Sequence, residues 1–172
     1  MRVPAARRIE AMRIHVATDH AGLEFSQTVR EHIATHGREV TDHGPVDFDP
    51  LDDYPSFCIN AARAVARDQA AGLQALGVIF GGSGNGEQMA ANKVQGIRAA
   101  LVWSDATATL AREHNDANVI AIGARQHSVD EALRFIDLFI ATAFTGDERH
   151  ARRIAQLAEY ESTDAIAGHE IV

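Results

Sequence analysis

Five short β-forming runs alternate with segments of helical periodicity along most of the chain, and this alternation constrains the fold more than any other feature. Arg13-Ile-His-Val-Ala-Thr18, Glu39 to Asp42, Leu76-Gly-Val-Ile-Phe80, Ala99-Ala-Leu-Val-Trp103 and Val119-Ile-Ala-Ile-Gly123 read as strands. The 76–80 run is apolar on both faces and bounded by glycines, as suits a buried parallel strand. Between the strands, Leu23, Val29 and Ile33 recur at near-helical spacing before Gly37, and further helices are predicted over about 54–70, 87–91, 105–114, 129–142 and 147–162. Asp105 is the expected cap of the helix that follows it. Strand–helix alternation implies right-handed βαβ units, and so a Rossmann-like, doubly wound parallel α/β sheet with helices on both faces. The predicted domain covers 13–162, with a loose extension at 1–12, where Met12 offers an alternative start, and a tail at 163–172.

Ligands of such sheets bind beyond the carboxyl ends of the strands. Three polar clusters fall there: Asp19-His20, Gly81 through Glu87, and the turn after Gly123 that carries Arg125. The block Gly81-Gly-Ser-Gly-Asn-Gly-Glu87 is the most telling. Four glycines in six residues let the backbone approach a ligand closely and turn its amides toward one point, and a helix N-terminus adds partial positive charge. The same spacing also suits a plain tight turn. It is not a Walker A loop, since no Gly-Lys-Ser/Thr follows, and it sits after the third strand, where the dinucleotide fingerprint opens on the first.

Glu87 admits two readings. A carboxylate in a first helical turn compensates the helix dipole. A carboxylate beside an oxyanion-binding turn can also abstract a proton next to a carbonyl. Burial would raise its proton affinity and amide hydrogen bonds would lower it, a balance the sequence leaves open. Arg149 and Arg153 share a helix face and, with His150 and Arg152, form a basic patch: either a solvated face or a phosphate clamp.

Charge and composition narrow the classes. The formal net charge is -8, which disfavours nucleic acid and anionic lipid as general partners. No apolar run is long enough to span a membrane, and the first dozen residues lack the apolar core of a secretory signal. A single cysteine, Cys58, excludes an internal disulfide and fits a reducing cytoplasm; its setting reads as a buried small hydrophobe. No HxxxH, HExxH or Cys/His pattern supports a metal cage.

The clusters together resemble the ribose-5-phosphate isomerase B (RpiB/LacA/LacB) family of sugar-phosphate isomerases over about residues 13–160. The resemblance rests on Asp19-His-Ala-Gly22, Asp53-Tyr-Pro55, the block from Gly81 to Lys93, Gly96-Ile-Arg98, Arg112-Glu-His-Asn-Asp116, Ile122-Gly-Ala-Arg125, and Arg149-His150 with Arg153. It implies a flavodoxin-like αβα sandwich, at least a homodimer (possibly a dimer of dimers), a C-terminal helix packed on the partner, sites shared between subunits, and neither metal nor organic cofactor. Many members carry a catalytic cysteine where this chain has Gly81. The chain resembles instead the actinobacterial-type branch with a glutamate base.

By that resemblance Glu87 moves the proton between C1 and C2 of ribose 5-phosphate and ribulose 5-phosphate. Ser83 bonds the reacting oxygens, and the amides of Gly82, Gly84 and Gly86 hold the enediolate. Asp19 and His114 assist ring opening, and Tyr54 and Asn115 contact the sugar. His20, Arg125, Arg149 and Arg153 bind the phosphate. The same chemistry on allose 6-phosphate, galactose 6-phosphate or a tetrulose 4-phosphate is the near alternative, and a non-catalytic nucleotide-binding module the remote one.

Overall fold

The computed structural model describes residues 12–165, so nearly all of the expected N-terminal extension and most of the C-terminal tail lie outside the described residues. Five parallel strands form the central sheet: β1 (Arg13–Ala17), β2 (Glu39–Asp42), β3 (Ala75–Gly81), β4 (Ala99–Val102) and β5 (Val119–Gly123). Their order is β2-β1-β3-β5-β4, all parallel. This is a doubly wound sheet whose last two strands are exchanged relative to the 2-1-3-4-5 flavodoxin order. The winding direction reverses between β1 and β3, so a crevice opens between the chain leaving Ala17 and the chain leaving Gly81.

Helices cover both faces. α1 (Leu23–Thr35), α4 (Asp105–Asn115) and α5 (Val129–Ala141) pack together on one face, and α2 (Tyr54–Ala70) and α3 (Asn85–Ala91) on the other. Each face has its own apolar core. Val29, Ile33, Phe135 and Phe139 meet Ile14, Phe80 and Ile122 on the first. On the second, Cys58, Ala61, Ala62 and Val65 meet Ala17, Ile79 and Ala121. α2 presents mainly small residues, so it lies close to the sheet, and Pro55 at its start costs no hydrogen bond.

α4 is capped by Ser104 and not, as the sequence suggested, by Asp105. The Ser104 side chain accepts from the Thr107 amide and Thr107 reaches back in a reciprocal capping box. Asp105 is instead the first helical residue and pairs with Arg134 of α5. A last helix, α6 (Glu148–Thr163), packs on α4 of its own chain and buries only His150.

Candidate active site

Glu87 lies in the first turn of α3, which the positive-φ residue Gly84 (φ 82°) opens. Glycine is required there twice over, because a Cβ would also come within 2.8 Å of Leu101. The side chain of Glu87 turns inward and is 4% exposed. Its carboxylate lies across Gly81, in the space that any side chain at position 81 would need. Burial pushes the Glu87 carboxyl up from the usual range; the negative charge of Asp19 pushes the same way, and the amides of Glu87 and Gly84 only partly oppose them. Among the described residues it makes no ion pair. The balance that the sequence left open falls toward a carboxyl of raised proton affinity.

The groups around it come from three strand ends and from the start of α2. Asp19 follows β1, is buried, and caps a 3-10 turn over His20–Gly22 by accepting from the Ala21 amide at 2.9 Å. The turns after β3 and β5 are joined: Ala124 donates to the Gly81 carbonyl at 2.8 Å and Arg125 to that of Gly82 at 3.2 Å. The Arg125 guanidinium consequently stands beside Gly82. Ser83 is exposed, and its hydroxyl accepts from the Asn85 amide at 3.3 Å. Tyr54, the first residue of α2, packs its ring where a Cβ on Gly86 would lie 2.5 Å from it. Cys58 sits fully buried beneath; burial, then the charges of Glu87 and Asp19, drive its thiol far up, so it remains protonated.

Asp52, which the sequence reading passed over, belongs to this group. It accepts from His20 Nδ1 at 2.6 Å and from the His20 amide at 3.1 Å. One ligand atom each from Asp19, His20 and Asp52 lie within 4.8 Å of one another. The only sequence signal is the acidic pair Asp52-Asp53 ahead of Tyr54; the partial burial of Asp52 and the exposure of Asp53 are properties of the folded loop.

His114, Asn115, Arg149 and Arg153 are not part of this group within one chain. α4 starts at the carboxyl edge of the sheet and ends beside the start of β5, so His114 and Asn115 lie at the opposite edge, about 13 Å away along a five-residue strand. There the rings of His114 and His150 stack at 4.2 Å and 14°. Arg149 Nε donates to His150 Nε2 at 3.2 Å. Burial lowers the proton affinity of His150, and the neighbouring His114 and Arg149 lower it further. Neither Arg149 nor Arg153 pairs with an acid among the described residues, and both are exposed. Between the two clusters, along edge strand β4, runs a groove of about 630 Å³ lined by Gln88 of α3 and by Trp103, Asn115, Leu157 and Tyr160.

A carboxylate buried at the switch point of a doubly wound sheet, beside a glycine-rich turn, defines the class, and the comparisons with known proteins agree. Residues 14–157 match the Ribose/Galactose Isomerase family, and the chain belongs to it. It is 50% identical over 155 residues to the ribose-5-phosphate isomerase B of Mycobacterium tuberculosis strain H37Rv, covering 90% of this chain and 93% of that protein. Ribose-5-phosphate isomerase B from Mycoplasma genitalium, solved with bound ribulose-5-phosphate, superposes with a TM-score of 0.84 at 40% identity, covering 88% of this chain and 97% of that one. A type B ribose 5-phosphate isomerase from Trypanosoma cruzi gives 0.83 at 35% identity, covering 90% and 99%. Among the described residues no helix is long and apolar enough to cross a membrane.

Proposed function

We propose that this chain, as a single isomerase domain over 13–162, interconverts D-ribose 5-phosphate and D-ribulose 5-phosphate through a cis-enediolate, with Glu87 as the base. The observation that carries the reading is the Glu87 carboxylate itself: buried, without an ion-pair partner among the described residues, raised in proton affinity, and lying over the glycine that replaces a side chain at position 81. Aldose–ketose conversion needs one base to carry a proton between neighbouring carbons, donors for the developing oxyanion, and a handle on the substrate. Glu87 supplies the first. The Ser83 hydroxyl and the amides of Gly82, Gly84 and Gly86 supply the second. Arg125 and His20, with Arg149 and Arg153, hold the phosphate; Asp19 and His114 move protons during ring opening; Tyr54 and Asn115 contact the sugar. No metal or organic cofactor enters these steps, and the reaction is placed in the cytoplasm.

The working unit in this reading is a homodimer. One chain divides the needed groups between opposite edges of its sheet, and the β4 groove with exposed Trp103, Leu157 and Tyr160 is apolar enough to seat a second copy. The partner then brings His114, Asn115, Arg149 and Arg153 to Glu87. Mixing Glu87→Gln with His114→Ala subunits in equal amounts is expected to restore about a quarter of wild-type activity, since about half the dimers are mixed and each has one intact site. Recovery of none, with subunit exchange verified, would place both residues in one chain. Substrate is tested by measuring kcat/KM for ribose 5-phosphate beside allose 6-phosphate, galactose 6-phosphate and a tetrulose 4-phosphate. The five-carbon sugar is expected to lead; a higher value for another would reassign the substrate within the same chemistry.

A further inference from the structure

Asp52 ends the exposed loop between β2 and α2, yet its own side chain is only 9% exposed. Oδ1 accepts from two donors of His20, Nδ1 at 2.6 Å and the backbone amide at 3.1 Å. Oδ2 is buried with no hydrogen-bond partner among the described residues. A buried carboxylate with one oxygen unsatisfied is costly, and mere loop anchoring does not need a charge there. The ring it holds is not itself buried: His20 rests edge-on against exposed Phe48 at 6.0 Å. With Phe48, Glu24, Thr28 and Ala124 it lines a cavity of about 560 Å³ between α1 and the turn after β5. The acidic groups facing His20 are thus Asp19 on its own turn, Asp52 from the loop and Glu24 from α1.

We propose that Asp52 is a positioning residue for phosphate binding: by accepting from Nδ1–H and from the amide of His20 it fixes the orientation of the ring, so that Nε2 faces the substrate and, in the protonated ring, its N–H is the donor offered to the phosphate. The inference rests on the reading of His20 as a phosphate ligand. Which ring nitrogen faces a ligand is set by the hydrogen bond that the other one makes. With Nδ1 committed, a protonated ring presents Nε2–H to a phosphate oxygen while Asp52 balances its charge from behind. No bond is made or broken by Asp52, and no group beyond the substrate is required.

Steady-state kinetics on the dimeric enzyme, with inorganic phosphate as a competing probe, tests this. His20→Asn and Asp52→Ala are each expected to raise KM and the phosphate inhibition constant about tenfold, with kcat within about threefold. The double variant is expected to be no worse than either single one, because both remove the same contact. Asp52→Asn keeps an oxygen for Nδ1–H and is expected to recover part of the loss. By ¹⁵N NMR, neutral His20 is expected to carry its proton on Nδ1 in the wild type and on Nε2 in Asp52→Ala. If His20→Asn raises KM and Asp52→Ala does not, the positioning role fails while the phosphate reading stands. If His20→Asn leaves KM unchanged, both fail. Multiplying effects in the double variant, or an unchanged tautomer in Asp52→Ala, would also overturn the proposal. So would activity lost in EDTA and restored by one divalent ion, since the three ligand atoms would then hold a metal.

Discussion

Glu87 and Asp68 are both buried carboxylates, 4% and 3% exposed, on opposite ends of the same helical layer, and their surroundings treat them in opposite ways. Burial alone pushes both up. At Asp68 it is overruled by hydrogen bonds from Arg67, Arg13 and His15, at 2.9, 3.1 and 3.2 Å, which hold its carboxyl at about 2. Glu87 has only backbone amides to oppose burial, with Asp19 adding to the rise. One acid stays ionised until pH falls toward about 2 and ties β1 to α2; the other has its proton affinity raised. Burial therefore does not by itself mark a base. What separates the two is whether cations share the pocket.

Two near-isosteric substitutions break this comparison, with opposite signs. Glu87→Gln keeps shape and removes the basic oxygen; kcat is expected to fall about 10²–10⁴-fold with substrate still bound. Its folded-state pKa is raised, so the ionised glutamate costs stability as pH climbs above its ordinary value, and the neutral amide removes that cost at neutral pH. The melting temperature of Glu87→Gln is accordingly expected to rise. A lower melting temperature, or near-normal turnover, would deny Glu87 the role of a poised base.

Asp68→Asn should do the reverse. The depressed pKa of Asp68 contributes stability above its ordinary value that is lost only as pH falls toward about 2. At neutral pH the amide is expected to lose roughly 2–3 kcal/mol in urea unfolding, less than a fully buried pair because Arg67 remains largely exposed. The folded fraction should keep kcat within about twofold. Loss of turnover without loss of stability would mean that Asp68 communicates with the site.

Gly81→Ala sharpens the comparison from the other side. The methyl group would enter the space of the Glu87 carboxylate while the backbone at 81 needs no positive φ, so the damage should be to placement and not to folding. About a tenfold loss in kcat is expected, with little change in melting temperature. An unaffected kcat would mean that the carboxylate works from another position.

Much of this was legible in the sequence, for identifiable reasons. The five strands and their helices fall within a residue or two of the predicted spans because apolar periodicity carries that information. The exchange of β4 and β5 does not, since alternation says nothing about which sheet edge a strand joins. Gly81 to Glu87 point to the candidate site through their glycines and their place after the third strand. Ser104 and Asp105 are both competent caps, and only the backbone turn chooses between them. Asp52 and Asp53 are equally interchangeable on paper. The split of Glu87 and His114 between sheet edges follows from the parallel topology, and the His114–His150 stack from the packing of α6 on α4.

The smallest effect concerns the polar side of Asp68. His15 Nε2 contacts Asp68, and His15 Nδ1 contacts His43 Nε2 at 2.9 Å. With Asp68 ionised, His15 donates through Nε2 and accepts through Nδ1, so His43 must be the donor to it. A further proton on His15 Nδ1 would face the His43 N–H. Burial lowers the proton affinity of both rings, outweighing the attraction of Asp68 for His15, and each ring's charge would repel the other. For a histidine whose folded pKa is depressed, the unfolded chain binds more protons once pH drops below the ordinary value of 6.5, so stability is full above that point and declines as pH falls toward the folded value. His15 and His43 are therefore expected to make the unfolding free energy decline between pH 7 and pH 5, against the opposite contribution of Glu87. His15→Gln can still donate to Asp68 and accept from His43, but it cannot titrate, and it should make that decline shallower by less than about 1 kcal/mol. Urea titrations of both proteins at pH 7 and pH 5 give the four values needed. A slope unchanged by His15→Gln would assign the acid sensitivity to other groups, whereas a steeper one would mean that Asp68 relied on a charged His15 after all.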